Sequence, residues 1–394
     1  MIDSSTQRRR NLSRVLRAVH VSGGSTRAEL TRALRLNRST IGDLVGALAE
    51  AGWVEERDDA PREGVGRPSP LVVPTARLLV AAVNPELDAV TVALVALGGR
   101  VIARTRIPAA RPRPAEAVEI AAAAIEELAA AHPESIVVGV GVAVPGLVRT
   151  SDGLVRLAPD LHWTDEPLGE PLARRLGLPV AVGNDADLGG RAEVAFGAGA
   201  GARDLLYVNG GPSGIGGGLV VNGAAAAGSA GYAGEIGHIG LDPRGPVCAC
   251  GATGCFEAIA GRASLLAALE LTTADDDELE RALTAAVAVE GHPVHAVLET
   301  HFTALAAALR TSVNLLNPER VVLGGHLAAV WDAVGAVRRG SVLRDALPVS
   351  AAETGVVSAA LGSSRLLIGA AEIAWEPHLE NPLAVRESAA VPSA

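Results

Sequence analysis

The stretch Glu235–Glu257, EIGHIGLDPRGPVCACGATGCFE, holds the most specific chemical pattern of the chain. Its members His238, Cys248, Cys250 and Cys255 supply one imidazole and three thiols, a complete tetrahedral set of zinc ligands. All three cysteines of the chain fall within eight residues, and disulfides cannot explain an odd trio in a reducing compartment. The alternatives are chance clustering or a redox-active thiol. Closed four-ligand sites are structural, so we expect Zn²⁺ to fix this loop and not to catalyse a reaction.

Composition limits the class of protein. With 394 residues, of which 49% are hydrophobic, the chain is long enough for two or three compact units with substantial cores. Its apolar stretches are short and broken by glycine or charge, so no membrane-spanning segment is expected. Residues 1–10 are polar and then basic and lack the apolar core of a signal peptide, which predicts a cytoplasmic protein.

Charge is distributed unevenly along the chain. Residues 1–75 hold twelve arginines against nine acidic residues, a net charge of +3, whereas the whole chain carries −10. The remainder therefore carries −13. A basic end on an acidic body is expected where only one end of a protein meets phosphate groups.

The first 75 residues have the element order of a winged helix-turn-helix. Apolar residues at helical spacing predict three helices, and the turn before the third is too short for parallel packing. Two short apolar segments then predict a β-hairpin, the wing. The predicted helices are Arg9–Val21, a second one capped by Ser25 or Thr26 and reaching Leu34, and a third from about Ser39 to Ala51; the strands include Trp53-Val54 and Leu71–Val73.

This order places the third helix in the major groove of double-stranded DNA. Its first turn presents Asn37, Arg38, Ser39 and Thr40, whose side chains suit phosphate and base-edge contacts. Arg67, flanked by glycine and proline near the tip of the wing, suits a narrow minor groove. The alternative is a three-helix module for protein interaction or dimerisation.

The chain after the wing predicts an α/β body of two lobes that face a cleft. Three strands, a helix and a fourth strand come first, and strands with helices recur after residue 200. The tail after Trp375 is rich in proline, serine and alanine and is expected to be loose. The predicted strands are Leu78–Val83, Val90–Leu97, Val101–Ile107, Ile136–Val142, Leu205–Val208, Gly217–Val221 and Val321–Leu323, and the helices are Ala115–Ala131 and those within 257–270 and 277–317.

Two motifs of the body are ambiguous by themselves. Asn184-Asp185 follows the strand Val180–Val182, where a carboxylate in a cleft could take a proton from a hydroxyl, but a turn is the simpler explanation. Ser213–Gly218 could cradle a phosphate, yet a strand follows it instead of a helix, so a tight turn is an equal alternative. His162 and His326 have no recognisable partners and are expected to serve packing or the surface.

Taken together, these motifs resemble the ROK family (repressors, open reading frames and sugar kinases), in its repressor branch. The resemblance spans nearly the whole chain, and the cysteine cluster with its flanking glutamates is its most specific part. The segments that carry it are Gly66-Arg67-Pro68, Val144-Pro145-Gly146, Trp163, Asn184-Asp185-Ala186, Gly214–Gly218, Glu235–His238, the cysteine cluster, and Asn317-Pro318 with Gly324-Gly325.

The resemblance implies a two-lobed, actin-like sugar-kinase (ASKHA) domain whose interlobe cleft holds a sugar. The predicted α/β architecture is a DNA-binding domain at residues 1–75, a sensor domain at 76–375 with lobes divided near 190, and a loose tail at 376–394. A homodimer or a dimer of dimers is also implied. By the same resemblance, the sugar contacts are Asn184, Asp185, Glu235, His238, Glu257 and Gly146, with Asp185 where the kinases keep their catalytic base.

The chemistry of these residues agrees with a sugar site. Carboxylates and an amide accept hydrogen bonds from sugar hydroxyls, and paired bonds of this kind discriminate strongly between hydroxyl patterns. Glu235 precedes one zinc ligand by three residues and Glu257 follows another by two. A bound zinc ion would therefore hold both acids in place.

Two departures from the kinases decide between repressor and enzyme. Where family kinases carry an acidic residue and glycine in a phosphate-binding hairpin, this chain reads Val83-Asn84-Pro85-Glu86, which offers no glycine and loses a donor at the proline. Where they carry Gly-Thr-Gly, it reads Gly210-Gly211-Pro212-Ser213. Because phosphoryl transfer depends on positioning and neutralising phosphates, we expect no kinase activity.

The sequence therefore predicts a sugar-responsive repressor of carbohydrate-metabolism genes, with operator DNA and a small sugar or sugar phosphate as its ligands. One alternative is a ROK-type kinase that phosphorylates a hexose or N-acetylhexosamine with ATP. A second alternative is a regulator whose sugar site is vestigial.

Overall fold

The N-terminal head consists of three helices and a small antiparallel sheet. The computed structural model describes residues 4–58, 69–149 and 151–384; the predicted tip of the wing, with Arg67, lies outside them. The elements are α1 (Ser4–Ser22), β1 (Ser25–Thr26), α2 (Arg27–Leu34), α3 (Arg38–Glu50), β2 (Val54–Arg57) and β3 (Leu71–Pro74), and the strand order is β1-β3-β2.

The helix boundaries of the head follow from its capping residues. Thr26 caps α2 and forms a reciprocal capping box with Glu29. Asn37 caps α3, its side-chain carbonyl accepting from the Thr40 amide at 2.8 Å. The helix therefore begins at Arg38, one residue before the predicted start. The predicted apolar stripes of α1 and α3 meet in one core, in which Leu16, Val45 and Leu48 are fully buried.

The first lobe of the body is built on a five-stranded mixed sheet of order β11-β7-β4-β5-β6. The strands β4, β7 and β11 run parallel, while β4, β5 and β6 form an antiparallel meander. The elements are β4 (Leu78–Pro85), β5 (Ala89–Ala96), β6 (Arg100–Pro108), α4 (Pro114–Ala130), β7 (Ile136–Val144), β8 (Leu147–Arg149), β9 (Leu154–Ala158), β10 (Trp163–Glu166), α5 (Gly169–Leu176), β11 (Val180–Asn184) and α6 (Asp185–Phe196).

The second lobe repeats this plan with a sheet of order β14-β13-β12-β15-β16. Its elements are β12 (Leu205–Gly211), β13 (Gly214–Val221), β14 (Ala224–Ala225), a 3₁₀ turn (Ile236–His238), α7 (Phe256–Ile259), α8 (Arg262–Ala268), α9 (Asp276–Val287), α10 (Val294–Leu316), β15 (Arg320–Gly325), α11 (His326–Ala333), α12 (Ala336–Arg339), α13 (Pro348–Glu353), β16 (Gly355–Ser358), a 3₁₀ turn (Gly362–Ser364) and α14 (Arg365–Glu380). The predicted fold class is confirmed: a winged helix precedes two α/β lobes.

The last helix, α14, returns to the first lobe and joins the parts of the molecule. It packs on β4, β7 and α6, and the approach is close enough to require glycine. A Cβ on Gly141 of β7 would lie 1.8 Å from the carbonyl oxygen of Ala370. The predicted lobe division near residue 190 falls inside α6, which packs on strands of both sheets and on α14.

The head docks on the exposed side of α14. Arg17 of α1 forms an ion pair with Glu376, in which Nη1 lies 3.0 Å from Oε2. The buried His20 forms a hydrogen bond with Glu372, in which Nε2 lies 3.0 Å from Oε2. The indole of Trp53 donates to the carbonyl of Pro382 at 2.8 Å. The expectation of a loose tail from residue 376 is therefore wrong for 376–384, because the tryptophan packing of the head stabilises this proline-containing segment.

Among the described residues, no helix combines the length and the apolar character needed to cross a membrane.

Candidate functional site

The four predicted metal ligands come together in space. Their ligand atoms all lie within 4.8 Å of one another, with the Cys250 and Cys255 sulfurs 3.8 Å apart and the Cys248 sulfur 3.7 Å from Nδ1 of His238. Ligands about 2.3 Å from a central zinc ion would be spaced by about 3.8 Å. The two shortest of these spacings match a tetrahedral site, and the others lie close to it, so the cluster is suited to hold a metal ion. The four side chains would fill all coordination positions of the ion, and the ion would brace the loop between β14 and α7.

Two glutamates surround this cluster, as their spacing in the sequence predicts. Oε1 of Glu257 lies 3.6 Å from Nδ1 of His238, and its Oε2 accepts from the amide of Ile215 at 3.2 Å. Glu235 approaches the other ring nitrogen of His238, Nε2, at 3.7 Å. With Nδ1 turned to the cysteines, the imidazole presents Nε2 to the cleft. Metal binding would fix the orientation of this ring and thus of both acids.

The cleft between the lobes gathers the residues predicted to contact a sugar. It encloses about 220 Å³, the size of a small polar ligand, and all six predicted residues line it: Gly146, Asn184, Asp185, Glu235, His238 and Glu257. Gly146 lies in the turn between β7 and β8, Asn184 and Asp185 lie where β11 meets α6, and the other three lie at the 3₁₀ turn Ile236–His238 and in α7, so both lobes contribute. A ligand that bridges them would therefore couple the positions of the two lobes.

Asn184 and Asp185 are placed by the start of α6. The Asn184 carbonyl caps the helix by accepting from the amide of Asp187 at 2.9 Å, and its amide donates to the Gly146 carbonyl at 2.9 Å. This bond joins the two loops at the floor of the cleft. The structure thus gives Asn184 a structural role as a helix cap in addition to its position in the cleft.

Asp185 is the most perturbed acid of the cleft. Burial raises the pKa of its carboxyl from 3.8 to about 7; the amide of Ala186 opposes this shift, and the negative charges of Glu86 and Glu235 add to it. A carboxyl with this pKa can accept or hold a proton near neutral pH. Such a group in a cleft is typical of a functional site.

Two residues that line the cleft lie in segments noted in the sequence, but were not themselves predicted to be part of the site. Glu86, which directly follows β4, lines the same cleft as Asp185, and the pKa of its carboxyl rises from 4.5 to about 7 because of burial and the charges of Asp88 and Asp276. The hydroxyl of Ser213 is buried in the lining and has no hydrogen-bond partner among the described residues. Only knowledge of which strand ends meet across the cleft could have identified these positions.

A buried network of charges lies beside the cleft, also unpredicted. Asp276 accepts from Arg262 at 2.7 Å and from Arg365 at 2.8 Å. Despite burial, Arg365 and Arg262 lower the pKa of Asp276 to about 2. Arg365 further binds the side-chain carbonyl of Asn209 at 3.0 and 3.1 Å. The network ties α8, α9, α14 and β12 together at the edge of the cleft.

The two histidines for which the sequence suggested no partner, His162 and His326, differ in burial and in position. His326 is fully buried at the start of α11, and its Nε2 lies 2.9 Å from the Ala260 carbonyl, as expected for a packing role. His162 lies in the loop before β10, with a positive φ of 58°.

The predicted DNA-contacting turn is exposed at the start of α3. Arg38 and Ser39 are solvent-exposed and Thr40 is half-buried. Asn37 is exposed as well, but its carbonyl is occupied by the Ser39 hydroxyl and the Thr40 amide, both at 2.8 Å. Its amide nitrogen alone is therefore left for an external partner, while Arg38 is free to extend from the surface.

Comparison with known protein families identifies both parts of the chain. The sequence profile of the ROK family matches residues 82–376, which is nearly all of the two-lobed body and includes most of the last helix. The chain belongs to the ROK family. The profile of the MarR family matches residues 12–62, which cover most of the head. A ROK body thus follows a MarR-type winged helix.

Relatives within the ROK family include both repressors and kinases. The DNA-binding transcriptional repressor Mlc of Escherichia coli is 27% identical over 373 residues, covering 92% of this chain and 92% of the repressor. The glucokinase of Streptomyces coelicolor is 31% identical over 300 residues, covering 71% of this chain and 92% of the enzyme. A solved ROK family transcriptional regulator, a homologue of Escherichia coli Mlc, covers 97% of this chain and 99% of its own, with 25% identity and a TM-score of 0.74. Of these three proteins, the two regulators match the head and the body together, whereas the glucokinase matches 71% of the chain.

Proposed function

We propose that the protein is a transcriptional repressor whose affinity for operator DNA depends on a sugar bound in the interlobe cleft. The observation that carries this proposal is the docking of a winged helix on α14, the helix that also packs on α6 and on the sheet of the first lobe. Closure of the lobes around a sugar would therefore shift the head. A homodimer would present two heads to two operator half-sites, and the spacing between the heads would change with the lobes.

The cleft supports a sugar as the effector. Carboxylates at Asp185, Glu235 and Glu257 can accept from hydroxyls of a ligand, and their arrangement on both lobes suits a small ligand with hydroxyls on several sides. Zinc at His238 and the three cysteines would act structurally by holding His238, Glu235 and Glu257. The ion would contribute no step of its own.

The loops opposite Asp185 argue against phosphoryl transfer. Pro85 and Pro212 lack the backbone N–H groups that bind phosphate, and Asn84 donates to the Ala143 carbonyl at 3.2 Å. Glu86 adds a carboxylate where phosphates would need donors. We propose that the protein is not an enzyme and that Asp185 serves ligand binding.

One observation favours kinase activity as a second candidate. A pKa of about 7 suits Asp185 to act as a general base toward a sugar hydroxyl. Incubation with ATP and glucose, N-acetylglucosamine or xylose tests this directly, since formation of the sugar phosphate and ADP would establish the enzyme. We expect neither product above the level of an Asp185→Asn control.

Calorimetric titration of a sugar panel tests the proposed function. We expect one sugar to bind with a 1:1 stoichiometry per chain and to lose its binding in Asp185→Asn. A matched control is Asp187→Asn, on the same turn of α6, where the side chain pairs with Arg191 and does not contribute a predicted sugar contact. Failure of every sugar to bind would contradict a sensor.

A further inference from the structure

We propose that Glu86 determines the class of ligand, by making the cleft select an unphosphorylated sugar and reject the corresponding phosphate ester. The inference rests on the proposed sugar-binding function of the same cleft and goes beyond it by naming the chemical state of the sugar.

Glu86 stands where the cleft opens into a second, smaller pocket. It follows the last residue of β4 and lines both cavities, together with Gly211 at the end of β12 and Pro212 in the turn that follows. A hydroxyl of a sugar held against Asp185 would point toward this junction. A phosphate on that hydroxyl would have to pass Glu86.

The carboxylate of Glu86 has no protein partner in the described chain. It forms no side-chain hydrogen bond or ion pair like the one between its neighbour Asp88 and Arg106, and the residue is half-buried in the wall of the cleft. A half-buried carboxylate without a protein partner is stabilised when water or a ligand supplies hydrogen-bond donors. Sugar hydroxyls and ordered water can do so, whereas a phosphate dianion brings only acceptors and repels the charge.

The buried arginines near Glu86 are already paired with other acceptors. Arg365 binds Asp276, Asn209 and the carbonyl of Gly362. Arg262 binds Asp276 and the carbonyl of Ala274. The buried positive charges therefore have few donors left for a phosphate.

Two arginines on the rim are less constrained. Arg106 pairs with Asp88 at 2.6 Å, and Arg104 donates to the Ser363 hydroxyl at 3.1 Å, both on the exposed side of β6. If a phosphate recruited them, the protein would prefer the ester. Rejection of the phosphate by Glu86 predicts a preference for the free sugar, and recruitment by the two arginines predicts a preference for the ester. Comparing the affinities of a sugar and its ester therefore distinguishes them.

The experiment is a calorimetric comparison of matched pairs on the full chain with its metal. Glucose is compared with glucose 6-phosphate, N-acetylglucosamine with its 6-phosphate, and mannose with its 6-phosphate, because each of these esters keeps the pyranose ring of the free sugar. For the sugar that binds, we expect the ester to bind at least a hundredfold more weakly, and Glu86→Gln to reduce that ratio at least tenfold. The control Glu127→Gln removes an equal charge from the exposed face of α4 and should leave the ratio unchanged.

Two results would overturn the inference while leaving the proposed function intact. One is an ester that binds the wild-type chain as tightly as the free sugar or more tightly, which needs no variant and no assumption about its folding. The other is an unchanged ratio in Glu86→Gln with normal binding of the free sugar. Absence of binding by all six compounds would overturn the proposed function and the inference together.

Discussion

Replacing Asp185 by asparagine should stabilise the fold while it removes sugar binding. The native carboxyl has a pKa of about 7 instead of 3.8, chiefly because of burial. Well below the unfolded-state pKa of 3.8 the acid is protonated in both states and has no effect on stability. As the pH rises from about 4 to about 7, the unfolded chain releases the proton and the native chain does not, so the wild-type protein loses stability. Above pH 7 the full cost is present.

The magnitude follows from the size of the shift. A difference of roughly three pKa units corresponds to about 4 kcal/mol at about 1.4 kcal/mol per unit. Because Asp185 borders an open, water-accessible cleft, we discount this to about 2 kcal/mol. Asparagine has no charge to bury and can still accept from the Ala186 amide at the start of α6.

The assay is chemical denaturation of both proteins at pH 8 and at pH 5. The Asp185→Asn protein should be more stable at pH 8 by about 2 kcal/mol, and the gain should shrink by at least half at pH 5. Asp187→Asn is the control, because it removes an ion pair with Arg191 and should give no such gain. An Asp185→Asn protein that is less stable than the wild type at pH 8, or whose gain does not depend on pH, would refute this reasoning.

Three further changes test the metal, the DNA contact and the coupling. Cys250→Ser should lower the bound zinc below one ion per chain in metal analysis and weaken sugar binding by 10–100-fold, while operator binding survives. Unchanged sugar binding would show that the metal does not position the sugar-binding residues. Arg38→Ala should weaken operator binding by about 1–3 kcal/mol in an anisotropy titration and leave sugar calorimetry unchanged; full operator affinity would show that the recognition turn is misplaced. Glu372→Ala, which removes the contact of α14 with His20, should leave both ligands bound but reduce the effect of sugar on operator affinity.

Local features of the sequence predicted much of the fold. The helices of the head follow from apolar spacing and from side chains that cap within three residues, as at Thr26 and Asn37. The metal cluster was predictable because its ligands are close in sequence and their chemistry allows few other uses. The sugar contacts came from the family resemblance, and their positions around one cleft agree with it.

Features that depend on distant residues were not predictable. Arg365 and Asp276 are 89 positions apart, and neither has a neighbour in sequence that marks it for burial. The segment after Trp375 carries prolines that indicate a loop, and contacts with residues distant in sequence hold it in place, among them Trp53 and Arg17 of the head and the carbonyl of Val138. In the segment 83–86, the missing glycine was visible, but the effect of Glu86 on the cleft depends on the loop that faces it.

The central claim is that sugar in the cleft changes the affinity of the head for DNA. The most direct measurement is an anisotropy titration of an operator fragment, selected from genomic DNA by the protein itself, with and without the sugar that binds in calorimetry. The account predicts a change in operator affinity of at least about fivefold, and an equal change in sugar affinity when operator is present. Identical operator affinity with the cleft empty and saturated would contradict it.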